Sequence, residues 1–433
     1  MTDVPVRRLG TAVVPAPPGV RVVLDARPLQ TPDRAPLTAA YLDALLRAYD
    51  TDPIAGESFA MFLRSDLDDP TTRYDRLEIV GRRLLPPTRL LRSAAMTVDP
   101  FLLRGATLGA AWRAERGGAA GAVYHALGGG SLPIAPDLPV VVTLLDLAPW
   151  ELPGSFQGSL AGRFGQRLRA QQLREASAVI VGSQAAARAT RRLLHVQEDR
   201  IRIVPPAPRV PFATVAGQRK TRSETIELRE RLGLAERYLV FSGRFDARQD
   251  LGTLLKALAG LATAGRPAEL DPAVPWPPRV LLVGASPEDR ASLARAAARE
   301  GVGEALTYAP VLAPDALAGL VRAARAVILP VLSEATGLPV IEAIACGTPV
   351  VASAVGPLPE LIGPAGLLVG PGEPERLAVA LATIWTDDGV HQRLVTAART
   401  RAKAGRRTWA DVARDTRLVY AEVGVRRHGS AAS

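Results

Sequence analysis

Residues 326–371 read AVILPVLSEATGLPVIEAIACGTPVVASAVGPLPELIGPAGLLVGP. The stretch is almost wholly apolar, and the carboxylates Glu334 and Glu342 break it. The segment 326–330 predicts a short buried strand, and Glu334 falls in the loop after it. Gly337 permits unusual backbone angles, and Pro339 suits the first position of a helix. Glu342 then lies near the start of that helix, which Gly347 and Pro349 end. The pattern around this stretch alternates strand and helix. That is the mark of an α/β chain with a parallel sheet and helices on both faces.

A helix start of this kind aims several free N–H groups at one spot and favours an anion, most naturally a phosphate. A carboxylate only accepts hydrogen bonds, so it suits the donating hydroxyls of a ribose or sugar. Together these describe a nucleotide-sugar site. Glu342 could instead complement the helix dipole. Its place within VIEAIA, where a bare charge would be buried, favours a partner for it.

The stretch resembles the signature of family 4 of the retaining glycosyltransferases, which have the GT-B architecture. That signature is two glutamates separated by seven residues, E-G-F-G-L-P-x-x-E-A-x-A-x-G-x-P-V. Here it reads EATGLPVIEAIACGTPV from Glu334, with Ala335-Thr336 in place of Gly-Phe. The resemblance continues at Gly243-Arg244 and on to Arg248-Gln249. There the family's arginine and lysine grip the donor diphosphate; Arg244 matches the arginine and Gln249 stands at the lysine. In the first half, DARPL resembles the family's opening strand end, and the loop after it holds Arg34 where the family has closely spaced glycines. His125 matches the family's first histidine. At the second, Leu145 replaces histidine and Asp146 is kept.

The resemblance implies two Rossmann-like domains with parallel sheets facing a central cleft. The proline-rich and then basic run 205–222 breaks the strand–helix pattern and marks the boundary between an acceptor domain (1–206) and a nucleotide-sugar donor domain (207–405), followed by a closing helix with its tail (406–433). Glu334 would bind the donor sugar and Glu342 the ribose hydroxyls. Arg244, with Gly243, Arg248, Gln249 and the amides of Thr336, Gly337 and Leu338, would hold the diphosphate. Asp146, His125 and Arg34 would line the acceptor side, with a satisfied structural role the other reading of His125. The implied reaction moves a hexosyl group to a sugar or lipid-linked hydroxyl with retention, and needs neither metal nor cofactor. The three departures, Leu145, Gln249 and the loop at Arg34, keep open a second reading: a weakened homologue that binds a nucleotide sugar or serves as a partner subunit.

Composition bounds the rest. With 433 residues the chain exceeds one ordinary domain. Its single cysteine, Cys346, excludes an internal disulfide, fits a reducing compartment, and reads as a small core residue. The net charge of +10 comes almost wholly from arginine. The arginines are spread along the chain without interleaved aromatics, so nucleic acid is not an expected partner. The excess either reflects an alanine- and arginine-rich composition or marks a basic face for a diphosphate-linked acceptor or for peripheral contact with an anionic membrane, on the inner face of a plasma membrane. Residues 86–114, basic and leucine-rich, read as helical in parts and either pack ordinarily or meet that surface. Residues 1–20 lack the apolar core of a targeting segment, and no run is long enough to span a bilayer; a cytoplasmic protein is expected. Asp66 and Asp68 read as a solvated acidic loop, Gly128–Gly130 as a turn, and 428–433 as a disordered tail.

Overall fold

The computed structural model describes residues 17–86, 95–116, 119–130, 132–213 and 218–429. The first sheet comprises β1 (Arg21–Asp25), β2 (Ser58–Arg64), β3 (Ile79–Leu85), β4 (Ala122–Leu127), β5 (Val140–Thr143), β6 (Ala178–Val181) and β7 (Ile201–Ile203). All are parallel, in the order β3-β2-β1-β4-β5-β6-β7. The second comprises β8 (Leu239–Ser242), β9 (Val280–Val283), β10 (Leu306–Ala309), β11 (Ala326–Leu329), β12 (Val350–Ser353) and β13 (Gly366–Val369). It too is parallel, ordered β10-β9-β8-β11-β12-β13.

Helices on both faces bury these strands, which is why β4, β5, β6, β9, β11 and β12 have no exposed position. The chain order reverses between β1 and β4 in one sheet and between β8 and β11 in the other. Loops beyond the carboxyl ends at such switch points form a crevice suited to ligands.

The closing helix, Trp409–Gly429, returns to the first sheet. Trp409, Val412 and Tyr420 join the same core as β1 and helix Pro36–Thr51, with Tyr41 edge-on to Trp409 at 4.9 Å between ring centres. A buried pair, Arg417 to Glu57 at 2.6 Å, pins it further. Both carboxylate oxygens are engaged by the guanidinium, so removal of either partner leaves the other buried and unpaired.

Several expectations are corrected. Residues 77–80 read from the sequence as a strand; the strand formed is Ile79–Leu85, with Arg64 paired to Leu85, so it carries on to the edge of the leucine-rich stretch. Helix Gln218–Arg231 begins inside residues 205–222, a proline-rich and then basic run that breaks the strand–helix pattern in the sequence. Residues 428 and 429 are helical; 430–433, like 1–16 and 87–94 of the expected leucine-rich helix, lie outside the described residues. No helix among the described residues is long and apolar enough to cross a membrane.

Candidate active site

The signature loop leaves β11 at Pro330 and enters the helix Leu338–Ala345. Gly337 caps that helix in the left-handed region, at φ +67°. A Cβ there would lie 2.2 Å from Leu361 Cδ1, so both space and backbone require glycine. Pro339 takes the second helical position rather than the first.

Glu334 folds back onto this turn. Its Oε1 accepts hydrogen bonds from the amides of Ala335, Thr336 and Gly337 at 3.1, 2.9 and 2.8 Å, and from Thr336 Oγ1 at 2.9 Å. The amides of Thr336 and Gly337, expected to meet a diphosphate, are therefore engaged by the chain's own carboxylate. The helix start does attract an anion, as its orphan donors dictate, and that anion is Glu334. Leu338, also expected at the diphosphate, is buried at the first position of this helix.

Glu342 is 5% exposed and also has a partner. Arg209 meets it with Nε 2.5 Å from Oε1 and Nη2 2.9 Å from Oε2. Burial disfavours the Arg209 charge, but Glu342 outweighs it and holds the guanidinium above its ordinary value. The group expected to await ribose hydroxyls is thus bidentately paired, with its remaining lone pairs left to accept.

A second cluster lies beside the signature loop. After β8, the chain from Gly243 to Asp250 runs antiparallel to the loop, with Gln249 bridging Val331 and Leu332 N donating to Arg248 O at 2.7 Å. Arg248 Nη2 reaches Asp146 Oδ2 at 2.9 Å, across from the first sheet, while its Nε holds Asp246 at 2.8 Å. The two carboxylates overcome burial and keep Arg248 firmly charged. Arg244 shares Asp246 at 3.4 Å and is exposed. The Gln249 amide oxygen is buried without a partner. Ser333 Oγ donates to Glu151 Oε2 at 2.5 Å, a further link between the two halves. Ala335 packs into the core of the first sheet, so the signature loop bridges the crevice.

Glu334, Arg244, Arg248, Gln249 and Asp146 therefore gather along one interface, and Glu342 sits behind it on Arg209. Two expected acceptor-side residues do not belong to it. His125 is fully buried, with Nε2 2.8 Å from Thr143 Oγ1 and Nδ1 2.7 Å from Tyr420 Oη. It ties the closing helix to β4, and burial pushes the imidazole down to about 3. Arg34 lies on an exposed turn before helix Pro36–Thr51, where its amide donates to the Thr31 carbonyl at 3.1 Å. Leu145, at the family's histidine position, is buried in the core.

Arg209, Glu151 and Ser333 were missed from the sequence. A buried Glu342 demands a cation, and the solitary arginine among the prolines of 205–211 was the available signal. Arg169 was also missed. It is buried and donates to the carbonyls of Gly128 and Gly130, so that glycine turn presents acceptors inward rather than a phosphate cradle. Among the described residues no group of acidic, histidine or cysteine side chains could hold a metal. Asp66 pairs with Arg64 and Asp69 with Arg82. Cys346 is partly buried, and desolvation pushes its thiol up to about 12, far from a reactive thiolate.

Two parallel α/β sheets with a bridged crevice at their switch points, lined by carboxylates and arginines, define a GT-B protein. The chain belongs to the glycosyl transferases group 1 family, whose model matches residues 236–387. It is 32% identical over 298 residues to a D-inositol 3-phosphate glycosyltransferase of Xylanimonas cellulosilytica, covering 67% of this chain and 68% of that one. A Streptomyces bingchenggensis protein of the same description is 37% identical over 208 residues, 46% of this chain and 44% of its own. Sucrose-phosphate synthase of Thermosynechococcus elongatus has the same fold at TM-score 0.65 and 23% identity, covering 96% of this chain and all of that one. Anabaena Alr3699/HepE, solved in complex with UDP, matches at TM-score 0.62 and 19% identity over 92% and 98% of the two chains.

Proposed function

We propose that this glycosyltransferase moves a hexosyl group from a nucleotide diphosphate sugar to a hydroxyl of a sugar or lipid-linked acceptor, retaining anomeric configuration. The observation that carries the reading is the joining of Glu334, Arg244 and Arg248 at the bridged crevice. Glu334 is anchored through Oε1, which leaves Oε2 to accept hydroxyls of the donor sugar. Glu342 accepts from ribose through lone pairs that Arg209 leaves free. Arg244, exposed and loosely held, meets the diphosphate as charge grows on it. The bond from the sugar's anomeric carbon to the phosphate oxygen breaks, and the acceptor oxygen bonds that carbon on the same face. The departing phosphate takes the acceptor's proton, so no metal or cofactor enters. Residues 207–405 hold the donor in this reading, and 1–206 the acceptor, with Asp146 at their junction. A neighbour solved with UDP-glucose supports the donor class.

The binding-subunit reading rests on a specific observation: Arg248 is spent on Asp146 and Asp246, and Gln249 is neutral, so Arg244 carries the diphosphate charge alone. Turnover on a panel of nucleotide sugars, with and without sugar acceptors, separates the two. Nucleotide release with anomer-retaining product supports transfer; saturable binding of UDP or GDP sugars without release supports the second reading. Unchanged nucleotide affinity in Glu342→Ala removes the site under both.

A further inference from the structure

The outer edge of the first sheet carries a site that the transfer reaction does not use. A cavity of about 210 Å³ lies between edge strand β3 and the helices Ala95–Thr107 and Ala110–Arg116. Arg21, Arg82, Arg83 and Arg113 line it, and among the described residues no carboxylate does. Arg82 is neutralised by Asp69. Among the described residues the other three meet neutral oxygens. Arg21 donates to Ser58 Oγ and the carbonyl of Arg113, Arg83 to the carbonyl of Ala106, and Arg113 to the carbonyl of Leu108. Three guanidinium charges around one hollow repel one another and call for an anion. The hollow runs along the sheet from Arg21 at the start of β1 to Phe62 and Arg83, level with the end of β1, and shares no lining residue with the crevice cluster.

The surroundings are apolar. Phe101 and Leu108 are 61% and 51% exposed; Phe101 and exposed Arg104, three residues apart, share one outward helical face, and Leu108 follows directly after the helix. Val80 and Leu84, on the edge strand, are 45% and 61% exposed. A soluble phosphate would need the arginines but not these side chains. We propose that this edge binds an anionic lipid surface, with a headgroup phosphate in the hollow and Phe101 and Leu108 entering the acyl boundary.

Vesicle sedimentation of the whole protein tests this. Binding should be strong to phosphatidylcholine vesicles containing phosphatidylglycerol, weak to phosphatidylcholine alone, and reduced by salt. The Arg83→Gln/Arg113→Gln variant should bind the anionic vesicles about thirtyfold more weakly. Phe101→Ser/Leu108→Ser should also lose vesicle binding while keeping the wild-type melting temperature and nucleotide affinity. Titration with inorganic phosphate and glycerol phosphate distinguishes the sources. If these bind at the arginines while the apolar variant holds vesicles as well as wild type, the ligand is a soluble phosphate and the lipid assignment is wrong. Equal binding to neutral and anionic vesicles overturns it as well.

Discussion

Arg209 and Glu342 are 133 residues apart in the chain and form a two-pronged ion pair in the interior. Such a pair adds little net stability, because desolvating both ions offsets their attraction. Removing one partner is different, since it leaves the other charge buried. Arg209→Leu is therefore expected to lower unfolding stability by ~3 kcal/mol, and the double variant Arg209→Leu/Glu342→Leu to recover most of that. Urea denaturation of the three proteins checks it. A single variant as stable as wild type would show that the pair opens to water at no cost.

Glu334 does two things at once, and the two can be separated. Its Oε1 satisfies three backbone amides at the start of the signature helix. Glu334→Ala leaves those donors orphaned and should cost ~1 kcal/mol, in the range of a lost helix cap. Glu334→Gln keeps an accepting oxygen for the turn but turns the other end into a donor. It should melt near wild type and still lose transfer at least about tenfold, if that end meets sugar hydroxyls. Full activity in the glutamine variant would confine Glu334 to capping.

Arg244 has one loose contact, to Asp246 at 3.4 Å, and stands exposed. Its removal should leave stability within ~0.5 kcal/mol. Loss of a cation at a departing diphosphate should lower kcat about a hundredfold. Arg248→Ala differs, because Arg248 joins Asp146 to Asp246 and so holds the two halves together. That variant should lose stability along with rate. Thermal melts beside initial-rate kinetics tell the two arginines apart, and equal stability losses would contradict their assigned roles.

The signature was legible because its constraints are local. Gly337 must be left-handed, Pro339 must sit early in a helix, and Glu334 and Glu342 then fall on either side of one helix start. The alternation of strands with helices likewise carried the two sheets. What stayed hidden depends on separations no local pattern encodes. Glu342 meets an arginine from the far end of a proline-rich connection, and Arg248 finds Asp146 across the crevice. Glu334's use of its own loop amides was hidden for a different reason. The argument that a helix start attracts an anion holds for a ligand and for a nearby side chain alike, and here the side chain is closer. Of the two readings of His125 the structural one holds, because a strand alternates faces. The position after Tyr124 points to the closing helix, not to the crevice mouth.

His125 also makes stability depend on pH. In the folded protein its imidazole is neutral and titrates at about 3, because burial disfavours the charged form. Unfolded, it titrates near the ordinary value of ~6.5. Above that both states are neutral and the contribution is complete. Between the two values the unfolded state binds a proton that the folded state does not, so stability falls with decreasing pH. The slope is ~1.4 kcal/mol per pH unit over that window. His125→Gln cannot titrate, and its amide retains one donor and one acceptor for Tyr420 and Thr143. Denaturation of both proteins from pH 7 to pH 4.5 should show the wild type losing more stability than the variant, by ~2 to 3 kcal/mol at the acid end. Parallel curves would mean that His125 is protonated in the folded state, and that Tyr420 and Thr143 both accept from it.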